Sequence, residues 1–151
     1  MADDSDKSQA ESQRELLEKA LEIYSPAVVE RWLKPRNRGH MQHPDGQGRA
    51  ASDCNDVIQI FLRIRGERIT EIAFQSTGCG ATLSSASMAT ELADGRTLEQ
   101  ALRLTAQDIS DGLDGLPEHN FHCAELALRA LQDAVQDAYR CAREPWKRLY
   151  R

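Results

Sequence analysis

No apolar run in this chain approaches the roughly 20 residues that span a bilayer. The opening residues Met1-Ala2-Asp3-Asp4-Ser5-Asp6-Lys7-Ser8 lack both the apolar core of a secretory signal and the arginine-rich character of a transit peptide. A soluble, cytoplasmic protein is expected, in a compartment where thiols stay reduced. A basic excess is missing as well: 19 Lys and Arg face 24 Asp and Glu, leaving a formal charge of -5, which argues against a nucleic-acid binder. No internal repeat or low-complexity tract marks the 151 residues, a length that suits one compact domain. Expected partners are proteins or metal ions, with neither nucleic acid nor membrane among them.

Close cysteine pairs are also lacking. Cys54, Cys79, Cys123 and Cys141 lie 25, 44 and 18 positions apart, which excludes the paired spacing of zinc ribbons and thioredoxin-like redox sites. On spacing alone, four unrelated buried or surface cysteines explain the pattern as well as a metal site does.

What is present is a clear order of elements. Residues 1–12 are polar without apolar periodicity and read as a disordered tail. From Arg14 a helical pattern begins (Leu16, Leu17, Ala20, Leu21, Tyr24), and Ser25-Pro26 reads as the cap and first position of a second helix carrying Val28, Val29, Trp32 and Leu33. Residues 34–53 read as a loop with at most one short strand near their end. Residues 56–65 alternate, with Ile58, Ile60, Leu62 and Ile64 on one face and Gln59, Phe61, Arg63 and Arg65 on the other. Gly66-Glu67-Arg68 turns the chain into a return strand over 69–75. A helix then runs to Ala93, capping boxes at Thr97 and Thr105 open two short helices, and a long helix spans 122–142, before a basic tail over 143–151. The fold class is α+β, with a small antiparallel sheet packed against helices, and residues 13–142 form the domain. Trp32, Phe74 and Leu131 read as core.

The first three cysteines fall at junctions rather than inside elements. Cys54 precedes the first strand, Cys79 joins the second strand to a helix, and Cys123 opens the last helix, whereas Cys141 lies within a helical stripe. A helix N-terminus stabilises a thiolate, so both Cys79 and Cys123 are expected to ionise below the usual thiol range. Gly78 and Gly80 are expected to let the backbone adopt positive φ and approach a bulky ligand. Asp56 and His122 flank these thiols and are candidates to complete a four-ligand set around iron or zinc. His40 and His43 read as solvated loop residues.

Five segments in order resemble the IscU/NifU-type iron-sulfur cluster assembly scaffolds: Lys34-Pro35-Arg36-Asn37-Arg38-Gly39, Cys54-Asn55-Asp56, Thr77-Gly78-Cys79-Gly80-Ala81, Ser84-Ser85-Ala86-Ser87 and His122-Cys123. The resemblance implies a three-stranded antiparallel sheet against helices, the added strand preceding Cys54. It implies that Cys54, Cys79 and Cys123 bind a [2Fe-2S] cluster, that Asp56 contributes to metal binding and keeps the cluster labile, and that His122 is a possible fourth ligand. It also implies sulfur delivered as a persulfide by a cysteine desulfurase, with Cys123 the favoured receiving thiol and Cys54 the alternative, iron and electron donor proteins, and recipient apoproteins. Two departures bear on the site. Asn55 stands where the family has Gly, a residue type that tolerates the left-handed region. Leu116-Pro117-Glu118-His119-Asn120 replaces the Leu-Pro-Pro-Val-Lys segment that recruits an Hsp70-type chaperone, so chaperone-driven release is not implied.

Two other functions are weighed against the scaffold. The same residues suit a zinc-bound sulfur carrier for a desulfurase. A cysteine hydrolase with Cys123 as nucleophile and His122 or His119 as base is disfavoured, because sequence neighbours rarely direct their side chains suitably and no oxyanion-hole motif is present.

Overall fold

In the computed structural model, which describes residues 2–144 and 146, helices α1 (Ala2–Ile23) and α2 (Pro26–Leu33) lead into strands β1 (Gly46–Ala51), β2 (Val57–Arg65) and β3 (Arg68–Thr77). Helices α3 (Gly80–Ala93), α4 (Leu98–Leu102), α5 (Ala106–Gly112) and α6 (Phe121–Arg143) follow, with a single 3-10 turn at Glu118–Asn120 before α6. The sheet order is β1-β2-β3 and both pairings are antiparallel. The architecture is therefore the α+β arrangement expected.

Local chemistry explains most boundaries. Ser25 caps α2 by accepting from the Val28 N-H, with Pro26 in the first turn, and Thr97 and Thr105 each close a reciprocal capping box. Gly66 has φ 66°, as a type II′ hairpin requires at its first central position. A register slip between Arg63 and Ile64 lets Ile69 join Ile72 and Phe74 in the core.

Two expectations are corrected, for residues 2–12 and for Trp32, and Phe61 departs from the exposure of its strand face. Helix, not irregular chain, runs through residues 2–12; no glycine or proline interrupts the stretch, so the helix begun by the apolar residues after Arg14 extends back through it. Residues 7–19 are exposed, and α1 packs chiefly against α2. Phe61 is only 2% exposed although it sits on the outer strand face, because His40 lies edge-on to its ring at 5.1 Å. Trp32 is 41% exposed rather than core. Of the expected basic tail, residues 145 and 147–151 lie outside the described residues.

Strand β1, Gly-Gln-Gly-Arg-Ala-Ala, owes its small residues to α6. A Cβ on Gly48 would stand 2.2 Å from the Ala134 nitrogen and 2.3 Å from the Ala130 carbonyl oxygen. The helix lies directly on the strand and also closes its free edge: Asp137 and Asp133 accept from the Gln47 and Arg49 N-H groups at 2.9 and 3.1 Å. Helix α3 runs through the interior, and four of its hydroxyls are satisfied by main chain: Ser84 donates to Val28, Ser85 to Ala81, Ser87 to Arg36 and Thr90 to Ser87. Glu91 on α3 pairs with Arg31 at 2.6 Å and Arg36 at 2.7 Å, fixing the segment after α2. Among the described residues, no helix is long and apolar enough to cross a membrane.

Candidate functional site

The sheet end nearest α3 and α6 gathers the junction residues. After β1 the chain folds tightly: Ser52 N-H donates to the Asp56 carbonyl at 2.8 Å, and Asp56 N-H to Ser52 Oγ at 3.2 Å. Asn55 occupies the left-handed region at φ 65°, a conformation that asparagine tolerates. This loop exposes Cys54 and brings half-buried Asp56 to the mouth of β2.

Cys79 is the N-cap of α3, exposed, and Cys123 lies in the first turn of α6 with no exposed surface. The Thr82 hydroxyl stands between them, 3.4 Å from Cys79 Sγ, 3.4 Å from Cys123 Sγ and 3.4 Å from Asp56 Oδ2. Exposed His122 places Nε2 3.6 Å from Cys123 Sγ. Cys79, Cys123, Asp56 and His122 thus adjoin, while Cys54 stands in its exposed loop. Among the described residues, no three His, Cys, Asp or Glu side chains are near enough to hold a metal ion in this conformation. Cys141 is buried on α6, well along the helix from Cys123. All four cysteines are free thiols.

The two adjoining thiols differ in ionisation. Burial pushes the Cys79 thiol up, but hydrogen bonds from the Thr82 hydroxyl and from the N-H groups of Thr82 and Ala81 outweigh it, so its pKa falls below the ordinary value. No closed side-chain cap bond forms there; the first-turn N-H groups simply face the sulfur. Cys123 goes the other way, contrary to expectation. Burial raises its pKa and the neighbouring Cys79 adds to this, against the opposing bonds from Thr82 and Asn120.

The glycines beside Cys79 also serve differently from expectation. Neither has positive φ. A Cβ on Gly78 would come 3.0 Å from Thr82 and 3.1 Å from Asp56 Cγ, and one on Gly80 would come 2.3 Å from the Trp32 ring. They make room for the site's own side chains. Trp32 is braced edge-on by Tyr24 at 6.3 Å between ring centroids, and burial followed by the two thiols raises the Tyr24 pKa.

Thr82, Asn120 and Tyr24 are site residues that sequence reading does not single out. A signal exists for two of them: Thr82 is three positions after Cys79 on a helix, and Asn120 three before Cys123, spacings that put side chains on one side. Asn120 Oδ1 is buried without a hydrogen-bond partner.

Residues 23–144 match the family described as the NifU-like N terminal domain. The chain is 39% identical over 119 residues to the iron-sulfur cluster assembly scaffold protein IscU 1 of Archaeoglobus fulgidus, covering 78% of each chain. It is 39% identical over 119 residues to the iron-sulfur cluster assembly scaffold protein IscU of Azotobacter vinelandii, covering 76% of this chain and 92% of that one. Its fold is similar to the crystal structure of a NifU-like protein (N-terminal) from Brucella abortus, with a TM-score of 0.61 and 19% identity, covering 78% of this chain and 95% of the other.

Proposed function

This chain belongs to the NifU-like N-terminal domain family, and on that footing we propose that it is a scaffold on which a [2Fe-2S] cluster is assembled from iron and persulfide sulfur and then passed to recipient apoproteins. The observation that carries the reading is the meeting of Cys79, Cys123 and Asp56 around one hydroxyl, with Cys54 at an exposed loop two residues from Asp56. Soft thiolates suit iron-sulfur cargo, and a carboxylate or imidazole, from Asp56 or His122, holds iron less tenaciously than a fourth thiolate. A ligand set left open in this conformation suits cargo that must also leave. We assign the chain no turnover chemistry of its own.

Sulfur arrives in this reading on a cysteine desulfurase. A scaffold thiolate attacks the outer sulfur of the desulfurase persulfide, a new S-S bond forms, and the desulfurase thiolate leaves. An electron donor protein supplies the two electrons that reduce each delivered sulfur to sulfide. Of the two candidate receivers, Cys54 is exposed and Cys123 buried, so Cys54 is the one a partner reaches in this conformation; Cys123 receives sulfur only once the first turn of α6 is uncovered. Four free thiols suit a reducing compartment, which we take to be the cytoplasm.

The test is anaerobic incubation with ferrous iron, cysteine and a cysteine desulfurase. The wild-type chain should gain visible absorption and equal amounts of iron and sulfide, and Cys54→Ala, Cys79→Ala and Cys123→Ala should each lose them. A colourless protein that holds zinc through the same residues would replace this reading with a zinc-bound sulfur carrier.

A further inference from the structure

Helix α3 carries five fully buried hydroxyl residues, Thr82, Ser84, Ser85, Ser87 and Thr90. Four of them donate to main-chain carbonyls, the ordinary way a buried helical hydroxyl is satisfied. Thr82 does not. All its hydroxyl contacts are to side chains of the site: Cys79 Sγ, Cys123 Sγ and Asp56 Oδ2, each at 3.4 Å. These three come from the start of α3, the start of α6 and the entry of β2, and the two thiols also hydrogen-bond each other. Gly78 is what admits the arrangement, since its missing Cβ leaves space for both Thr82 and Asp56.

We propose that Thr82 is a positioning residue whose hydroxyl holds Cys79 and Cys123 convergent in the unloaded protein and serves as a hydrogen-bond donor to thiolate sulfur in the loaded one. A hydroxyl has one proton to give and two lone pairs to receive with. A distance of 3.4 Å is ordinary for a bond to sulfur and long for one between oxygens, so the proton goes to a thiolate and Asp56 Oδ2, which can only accept, is a packing neighbour of the hydroxyl. When both thiols are protonated, the hydroxyl can accept from one while donating to the other. The same group therefore keeps the sulfurs together through changes of charge. A hydrogen bond to a coordinating sulfur withdraws charge from it, which raises the reduction potential of a bound cluster and loosens the sulfur's hold on iron.

The consequence for the loaded protein rests on the scaffold reading; the consequence for the empty protein does not, so the two fail separately. In the empty protein the probe is phenylarsine oxide, whose trivalent arsenic binds two thiols that converge and releases water. Thr82→Val, which keeps the shape and removes the hydroxyl, should weaken or slow arsenical binding on the order of tenfold, the worth of a hydrogen bond to a charged group. Thr82→Ser should restore it. In the reconstituted protein Thr82→Val should shift the cluster potential to more negative values and slow its loss to a chelator, with Thr82→Ser again close to wild type. Thermal unfolding of each variant separates these effects from folding. Arsenical binding by Thr82→Val that matches wild type, or a Thr82→Ser variant that behaves like Thr82→Val, overturns the assignment.

Discussion

Trp32 lies flat against Gly80, so near that a Cβ on the glycine would stand 2.3 Å from indole Cδ2 and 2.5 Å from Cε2. Gly80 is the residue after Cys79, so the indole packs against the start of α3. Gly80→Ala must expel the ring. The expected cost is about 1–3 kcal/mol of stability, and Trp32 fluorescence should shift to the red as the ring, 41% exposed in the wild type, moves further into water. An unshifted spectrum in a stable variant would show that the contact does not hold the ring.

The approach of α6 to β1 makes a harsher demand at Gly48. There the atoms met by an added Cβ are backbone, at 2.2 and 2.3 Å, and backbone does not step aside cheaply. Gly48→Ala should destabilise by about 3 kcal/mol or more, lowering Tm by roughly 5–10 °C for a chain of this size. Differential scanning calorimetry reads the change directly. Gly95→Ala makes the comparison, since open space surrounds that glycine and only its φ of 78° opposes a side chain.

These two contacts also explain what the sequence shows and hides. Alternation over Ile58, Ile60 and Leu62 and the capping residues Ser25, Thr97 and Thr105 are local signals, and they mark their elements correctly. Strand β1 has no such pattern, because the helix on top of it leaves no volume for the apolar side chains that would have announced it. Trp32 carries a core residue's composition but lies at the rim of a site, a distinction only tertiary placement makes. The junction positions of Cys54, Cys79 and Cys123 are visible in the order of elements. Thr82 is not, since its importance comes from three side chains distant in sequence.

The thiols should report their unequal environments through pH. The thiolate is the form that alkylates. A group with lowered pKa is already ionised where one with raised pKa is still protonated, so near neutrality Cys79 should react with iodoacetamide well ahead of Cys123. The ratio should shrink as pH rises through the higher value, leaving only the difference in exposure. Because Cys79 contributes to raising Cys123, Cys79→Ala should move the Cys123 profile to lower pH. Mass spectrometry of alkylated peptides measures both. Faster reaction of Cys123 at neutral pH would contradict the described geometry.

In the proposed scaffold, Asp56 is the residue expected to govern release. Its carboxylate reaches toward the thiols at the Thr82 hydroxyl, and a hard oxygen donor is the weaker partner for iron in a thiolate site. Asp56→Ala should therefore slow loss of a bound cluster to a chelator by about tenfold while leaving its visible spectrum in place. Faster loss would make Asp56 a holder of the cluster rather than the residue that keeps it labile.

The scaffold account stands most directly on transfer. The chain is loaded anaerobically with iron and sulfide, freed of unbound ions, and mixed with an apo-ferredoxin whose holo form has a distinct circular dichroism spectrum. The account predicts that the ferredoxin spectrum grows as the scaffold's own disappears, faster than with free iron and sulfide at the same concentrations. A cluster that forms but stays on the chain, or a ferredoxin that fills no faster than from the free ions, would contradict it.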